Sequence, residues 1–193
     1  MANIDRPNGA VAVDTITGAP VTAKLNAYNV DVANATAIFP GDWVKLEADG
    51  NVAPAAVGDI LIGVCAGVEV APPTKEDGFL SNNNIGVSEL PGYLPALTAG
   101  VILVTDDPDQ LYEIQSDGTI TIDDTGDNAE IVAGAGSTTT GRSAHEVSST
   151  TIVGAAQLRL IRPVKRADND VTLANGRWVV MINEHSYRTA AGA

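Results

Sequence analysis

The sequence predicts an all-β fold: a small barrel or sandwich of many short strands, with an extended N-terminal arm. Three observations predict it. Apolar residues make up 45% of the chain, but Ala, Val, Ile and Leu dominate and aromatics are only 4%. The 19 Gly and 10 Pro fall largely in turn signals such as Pro40-Gly41-Asp42, Asp49-Gly50 and Asp117-Gly118. Between these turns the apolar residues alternate or run in short β-branched blocks, and no stretch keeps helical spacing over three turns.

Taken in order, residues 1–26 are small and polar, with Asn8-Gly9 and Thr17-Gly-Ala-Pro20, and read as an extended arm holding at most one strand, Ala10–Asp14. Tyr28–Phe39 mixes Val and Ala with Asn and fits strand or loop. Trp43–Glu47 alternates apolar and polar, the period of a strand with one buried face, and Asp49-Gly50 then signals a hairpin. Ile60–Val70 is too continuously apolar to present a polar face, so it is expected at the centre of a sheet, covered on both sides.

Residues 71–97 carry Pro72-Pro73, Asp77-Gly78, Asn82, Asn83, Asn84 and Pro91-Gly92, and read as one long loop. A loop of this length in a small domain is usually functional, so it is expected to make contacts, with Asn82 and Asn83 as its candidates. Strands are expected at Gly100–Thr105, Leu111–Gln115 and Thr119–Asp123, the last two joined by a tight turn at Asp117-Gly118. Residues 133–151 are Gly/Ser/Thr-rich and read as loop. Two strong strands, Gln157–Val164 and Arg177–Ile182, close the chain around the polar turn Ala167–Gly176. The organisation is therefore an arm, 1–26, and a single β domain, 27–193, of a size that buries a substantial core.

Charge narrows the partners. The chain carries 11 Lys/Arg against 24 Asp/Glu, a formal net charge of −13. Nucleic-acid binders need a basic footprint, and an anionic bilayer would repel this chain, so neither is expected as a partner. The cations are unevenly spread: residues 142–193 hold 7 Lys/Arg and 4 Asp/Glu. Arg159, Arg162, Lys165 and Arg166 lie close together there. They are expected to complement acidic surfaces of protein partners. On a regular strand Arg159 and Arg162 point to opposite faces, which would split this cluster.

No residue pattern demands catalysis. The lone Cys65 sits in the apolar run Asp59-Ile-Leu-Ile-Gly-Val-Cys65 and reads as a small core residue. Gly136-Ser-Thr-Thr-Thr-Gly141-Arg142-Ser143 nearly spells a phosphate-binding loop, but Arg142 stands where Lys is needed and no helix pattern follows. The acidic clusters Asp106-Asp107-Pro108-Asp109 and Asp123–Asp127 lack the spacing of a helix–loop–helix calcium site, and Pro108 reads as a turn former. His145 and His185 each neighbour a Glu and read as surface or interface residues. The expectation is a non-enzyme that needs no metal or cofactor. No apolar leader or membrane-length run is present, so synthesis in the cytoplasm is expected.

One segment is distinctive: Val104-Thr-Asp-Asp-Pro-Asp-Gln-Leu-Tyr-Glu-Ile-Gln115. In the same order come Phe39-Pro-Gly-Asp-Trp-Val-Lys-Leu46 and Ile62-Gly-Val-Cys-Ala-Gly-Val68 before it, then Gly136–Glu146, Gln157–Val164 with Asp168-Asn169, and Trp178–His185. This series, over about residues 36–187, resembles the capsid cement, or decoration, proteins of tailed bacteriophages. The segment before Gly100 departs from that pattern in lacking a Tyr-Arg-Pro, and the Asn run at 82–84 is short.

The resemblance implies a virion structural protein on the outer capsid surface, made in the host cytoplasm, which binds the major capsid protein and bridges shell subunits. It implies a homo-oligomer, and the three-fold seams of an icosahedral shell favour a trimer over a dimer. The alternative is a tail or fibre accessory protein or a host-surface-binding module. For attachment, the arm is the first candidate, with Ile4 and Arg6 on it, through addition of a strand to a neighbour's sheet. The basic cluster is the second.

Overall fold

A computed structural model describes residues 3–18, 25–70 and 92–188. Asn82 and Asn83 lie outside the described residues. Among those residues the fold is all-β, with eleven strands and no α-helix. The strands are β1 (Val11–Thr15), β2 (Asn26–Val30), β3 (Trp43–Leu46), β4 (Val52–Pro54), β5 (Gly63–Val70) and β6 (Gly100–Thr105). They continue with β7 (Gln110–Gln115), β8 (Asn128–Val132), β9 (Glu146–Ile152), β10 (Leu158–Pro163) and β11 (Arg177–Ile182).

These strands form two antiparallel sheets, one ordered β1-β7-β11-β10-β8-β9 and the other β2-β6-β5-β3-β4. The larger sheet curls until a single bridge, Ser116 to Val147, joins the end of β7 to β9, but it does not close into a barrel. The architecture is a sandwich.

Alternation along the strands builds two apolar layers. Tyr112, Ile114, Leu158, Leu160, Trp178 and Val180 of the larger sheet meet Trp43 and Val64 of the smaller one. The Trp43 and Tyr112 rings pack edge to face, with centroids 5.1 Å apart. On the far side of the smaller sheet, Val44, Cys65, Ile102 and Val104 are covered by Ile38 and Leu94. The bridge Ile38 to Leu94 holds that cover in place. Residues 61–65, leading into β5, are therefore buried, but Ile60 and Ala66 are exposed and residues 67–69 only partly buried, so the expected cover on both sides of Ile60–Val70 holds only for its central residues. Burial pushes the Cys65 thiol up to about 12, so it stays protonated as a core group.

Three segments differ from the sequence expectation. Thr119–Asp123 is not a strand. The Asp124 carboxylate accepts hydrogen bonds from the Thr121 N–H, at 2.7 Å, and the Thr121 hydroxyl, at 2.8 Å, and the chain turns into a short 3-10 segment, Ile122–Asp124. Only Ile120 of that stretch enters the core. Conversely, β8 and β9 occupy residues where no strand was expected. β9 reads Glu-Val-Ser-Ser-Thr-Thr-Ile and lies at the sheet edge, where a single core contact, Val147, suffices to hold it.

Candidate interaction face

The outer face of β7, β11 and β10 collects the cations. Trp178 and Val180 point inward, so Arg177, Val179 and Met181 point out; Glu113 and Leu111 of β7 lie beside the last two. On β10, the register slips between Leu160 and Arg162: Arg159 faces Met181, Leu160 faces Val180, and Arg162 faces Val179. The extra residue in the strand is a β-bulge. It corrects the sequence expectation, because it returns Arg162 to the same outer face as Arg159. A regular strand would have sent one of them inward.

Arg166 joins this face from the segment after β10. Its Nη2 lies 2.9 Å from Glu113 Oε1, and its Nε lies 3.5 Å from Asp168. Arg177 Nη1 lies 3.5 Å from the same Glu113 oxygen and donates to Asn8 Oδ1 at 3.2 Å. Arg162 pairs with Asp14 at 3.2 Å, and Arg159 donates through Nε to Asn128 Oδ1 at 3.0 Å. Lys165 follows β10 beside Arg166 and is exposed.

The arm lies along this face within its own chain. Gln115 clamps it from both sides: Arg6 N–H donates to Gln115 Oε1 at 3.2 Å, and Gln115 Nε2 donates to the Ile4 carbonyl at 2.9 Å. Ala10 donates its N–H to the Gly41 carbonyl and enters the core. Val11–Thr15 then forms the edge strand of the larger sheet, paired to β7. Ile4 is left 79% exposed.

The groups that could suggest chemistry are committed elsewhere. Both histidines are buried, at 4% exposure for His145 and 0% for His185, which corrects their reading as surface residues. His145 Nδ1 accepts the Trp43 N–H at 3.2 Å, while Nε2 lies 3.5 Å from Asp42. His185 Nδ1 accepts the Tyr187 N–H at 3.1 Å. With Nδ1 of each ring already accepting a backbone proton, neither has that nitrogen free to act as a base. Sequence spacing gave no sign of this burial, because the partner of each Nδ1 is a backbone N–H and Asp42 lies about a hundred residues from His145 in the chain.

The acidic turn is likewise engaged. Asp106 accepts from the Asn26 amide and the Tyr28 hydroxyl, Asp107 Oδ1 accepts the Asp109 N–H, and Asp109 pairs with Arg188. Among the described residues no group of three His, Cys, Asp or Glu is placed to hold a metal ion. Ser137–Arg142 closes as a tight loop, with the Ser137 N–H donating to the Arg142 carbonyl, and leads into β9 with no helix at its end. No helix among the described residues is long and apolar enough to cross a membrane.

Compared with protein-family models, curated proteins and solved structures, the chain matches none.

Proposed function

We propose that this chain is a virion structural protein that decorates the outer surface of a phage capsid and stabilises it by bridging shell subunits. One observation carries the reading furthest. In a chain with a net charge of −13, Arg159, Arg162, Arg166 and Arg177 gather on one outer sheet face, and Arg6 of the arm lies next to it. Such a face gives an acidic protein one defined side for binding proteins, and it leaves the remaining surface to repel unwanted contacts.

The sequence resemblance adds to this. Its motifs coincide with the frame of the sandwich: β3, β5, the β6–β7 crossover, β10 and β11. A frame of two packed antiparallel sheets suits a structural role. The protein would bind the major capsid protein and sibling copies, with a trimer favoured over a dimer. Many modest contacts across a seam add up when each copy is held at several points.

Two experiments test the reading. Purified chain is added to capsids of the phage that encodes it, and binding is read by co-sedimentation. Cryo-microscopy of the particle then locates it. Saturable binding and density over the shell seams are expected. Absence from the shell, or density confined to the tail, would overturn the proposal.

A further inference from the structure

At one end of the basic face lies a cavity of about 220 Å³, whose lining includes Arg6, Arg166, Arg177, Asn3 and Asn169. Three guanidinium groups thus border one small space. Asn3 and Asn169 build its walls and are used up in doing so. Asn3 donates to the carbonyls of Asp170 and Ala174 at 2.8 and 2.9 Å, and its Oδ1 accepts the Asp170 N–H at 2.9 Å. Asn169 donates to the carbonyls of Val164 and Arg177, and accepts the Arg177 N–H at 2.7 Å. The arm backbone is fixed by Gln115 on the other side.

The walls are therefore pre-organised, and what the cavity offers a carboxylate is guanidinium with Asn175 beside it; the Asp168 carboxylate, also on the lining, lies 3.5 Å from Arg166 Nε. Neutralisation of those groups is incomplete. Glu113 is shared between Arg166 and Arg177, and Asp168 is 3.5 Å from Arg166. No ion pair joins the Arg6 guanidinium to another described residue. Guanidinium forks match planar carboxylates through paired hydrogen bonds. The rim carries the exposed Ile4, an apolar neighbour that a free ion would not use but a peptide side chain would.

We propose that this cavity receives a carboxylate side chain from an acidic segment of a partner protein, with Ile4 packing against an apolar residue of that segment. The inference rests on reading the chain as a protein-binding module, but not on the capsid as the partner. Its test uses the isolated full chain, so it can fail while capsid binding succeeds, and the reverse.

The probe is a short blocked peptide of Asp, Glu and Leu, titrated while the arginine Nε–H signals are followed by NMR. Saturable shifts at Arg6, Arg166 and Arg177 are expected. Arg6→Ala lies on the exposed arm and should leave the fold intact while weakening the peptide roughly five-fold. Ile4→Ser should weaken it by a smaller factor. Glu113→Gln removes the internal competitor and should tighten it. Three outcomes would overturn the proposal: no saturable shift, unchanged affinity in both Arg6→Ala and Arg166→Ala, or inorganic phosphate binding as tightly as the peptide. The last would make the cavity a general oxyanion site.

Discussion

Arg162 of β10 reaches Asp14 of β1 at 3.2 Å, although β7 and β11 lie between their strands. The link runs diagonally over Val179, the cross-strand neighbour of Arg162, and Leu111, the neighbour of Asp14. These two apolar residues sit on the outer face yet are only 5% and 2% exposed. The Arg162 stem thus acts as a cover as well as a charge.

Three substitutions separate those roles. Asp14→Asn removes the attraction between two half-exposed groups and is expected to cost roughly 0.5 kcal/mol or less. Arg162→Ala also strips the stem from Val179 and is expected to cost about 1 kcal/mol. Arg162→Met should restore most of the difference. Urea unfolding of the three variants checks this. Equal losses for Met and Ala at 162 would show that the stem does not cover the face.

The core of this fold is legible in the sequence because its central strands carry the signal. Trp43–Leu46, Gly100–Thr105 and Arg177–Ile182 alternate or run apolar between turn pairs, and they stand close to where that pattern puts them. The edge strand β9 escapes, because it needs only Val147 in the core and otherwise shows the composition of a loop. Part of the interaction face is legible as a basic cluster. Its geometry is not: the bulge after Leu160 and the return of the arm onto β7 both depend on pairings far away in the chain.

Gly9 tests how the arm is held. Its φ of +75° is left-handed, and a Cβ there would lie 2.5 Å from the Gly41 carbonyl oxygen. Gly9→Ala therefore faces both backbone strain and a clash with main chain that cannot swing aside. A loss of about 1–3 kcal/mol is expected. Hydrogen exchange should show lost protection at Ala10 and along β1, while β6 keeps its protection. Uniform loss across both sheets would mean that the arm is not a separable unit.

Glu146 should make the protein less stable as pH rises. Burial pushes its carboxyl up to about 7, and the charges of Asp5 and Asp117 add to this. The folded state thus holds a proton that the unfolded state releases near 4.5, and the stability from this group is lost as pH climbs from there through 7. Glu146→Gln keeps the shape and removes the charge. It should melt higher than the parent at alkaline pH and close to it in acid. A difference that stays the same at both ends of the range would refute this assignment.

His145 carries the opposite sign. Its Nδ1 already accepts the Trp43 N–H, so a second ring proton would set N–H against N–H inside the core. Burial accordingly holds its pKa below the usual 6.5, against the pull of Asp42. The stability that His145 provides is complete above 6.5 and is lost as pH falls below it toward the folded value. Burial pushes Asp42 the other way, so its carboxylate costs more as pH rises above 3.8, lower on the scale. His185 shares the downward shift, from burial and then from Arg188, so the parent's melting curve mixes both rings. The difference between parent and His145→Asn removes that overlap, because His185 is present in both. His145→Asn should be clearly destabilising at neutral pH, where the Trp43 N–H loses its ring acceptor, and the gap should narrow steadily as the solution is acidified. A gap independent of pH would mean that His145 stays in one protonation state through folding, and that its place beside Asp42 is packing alone.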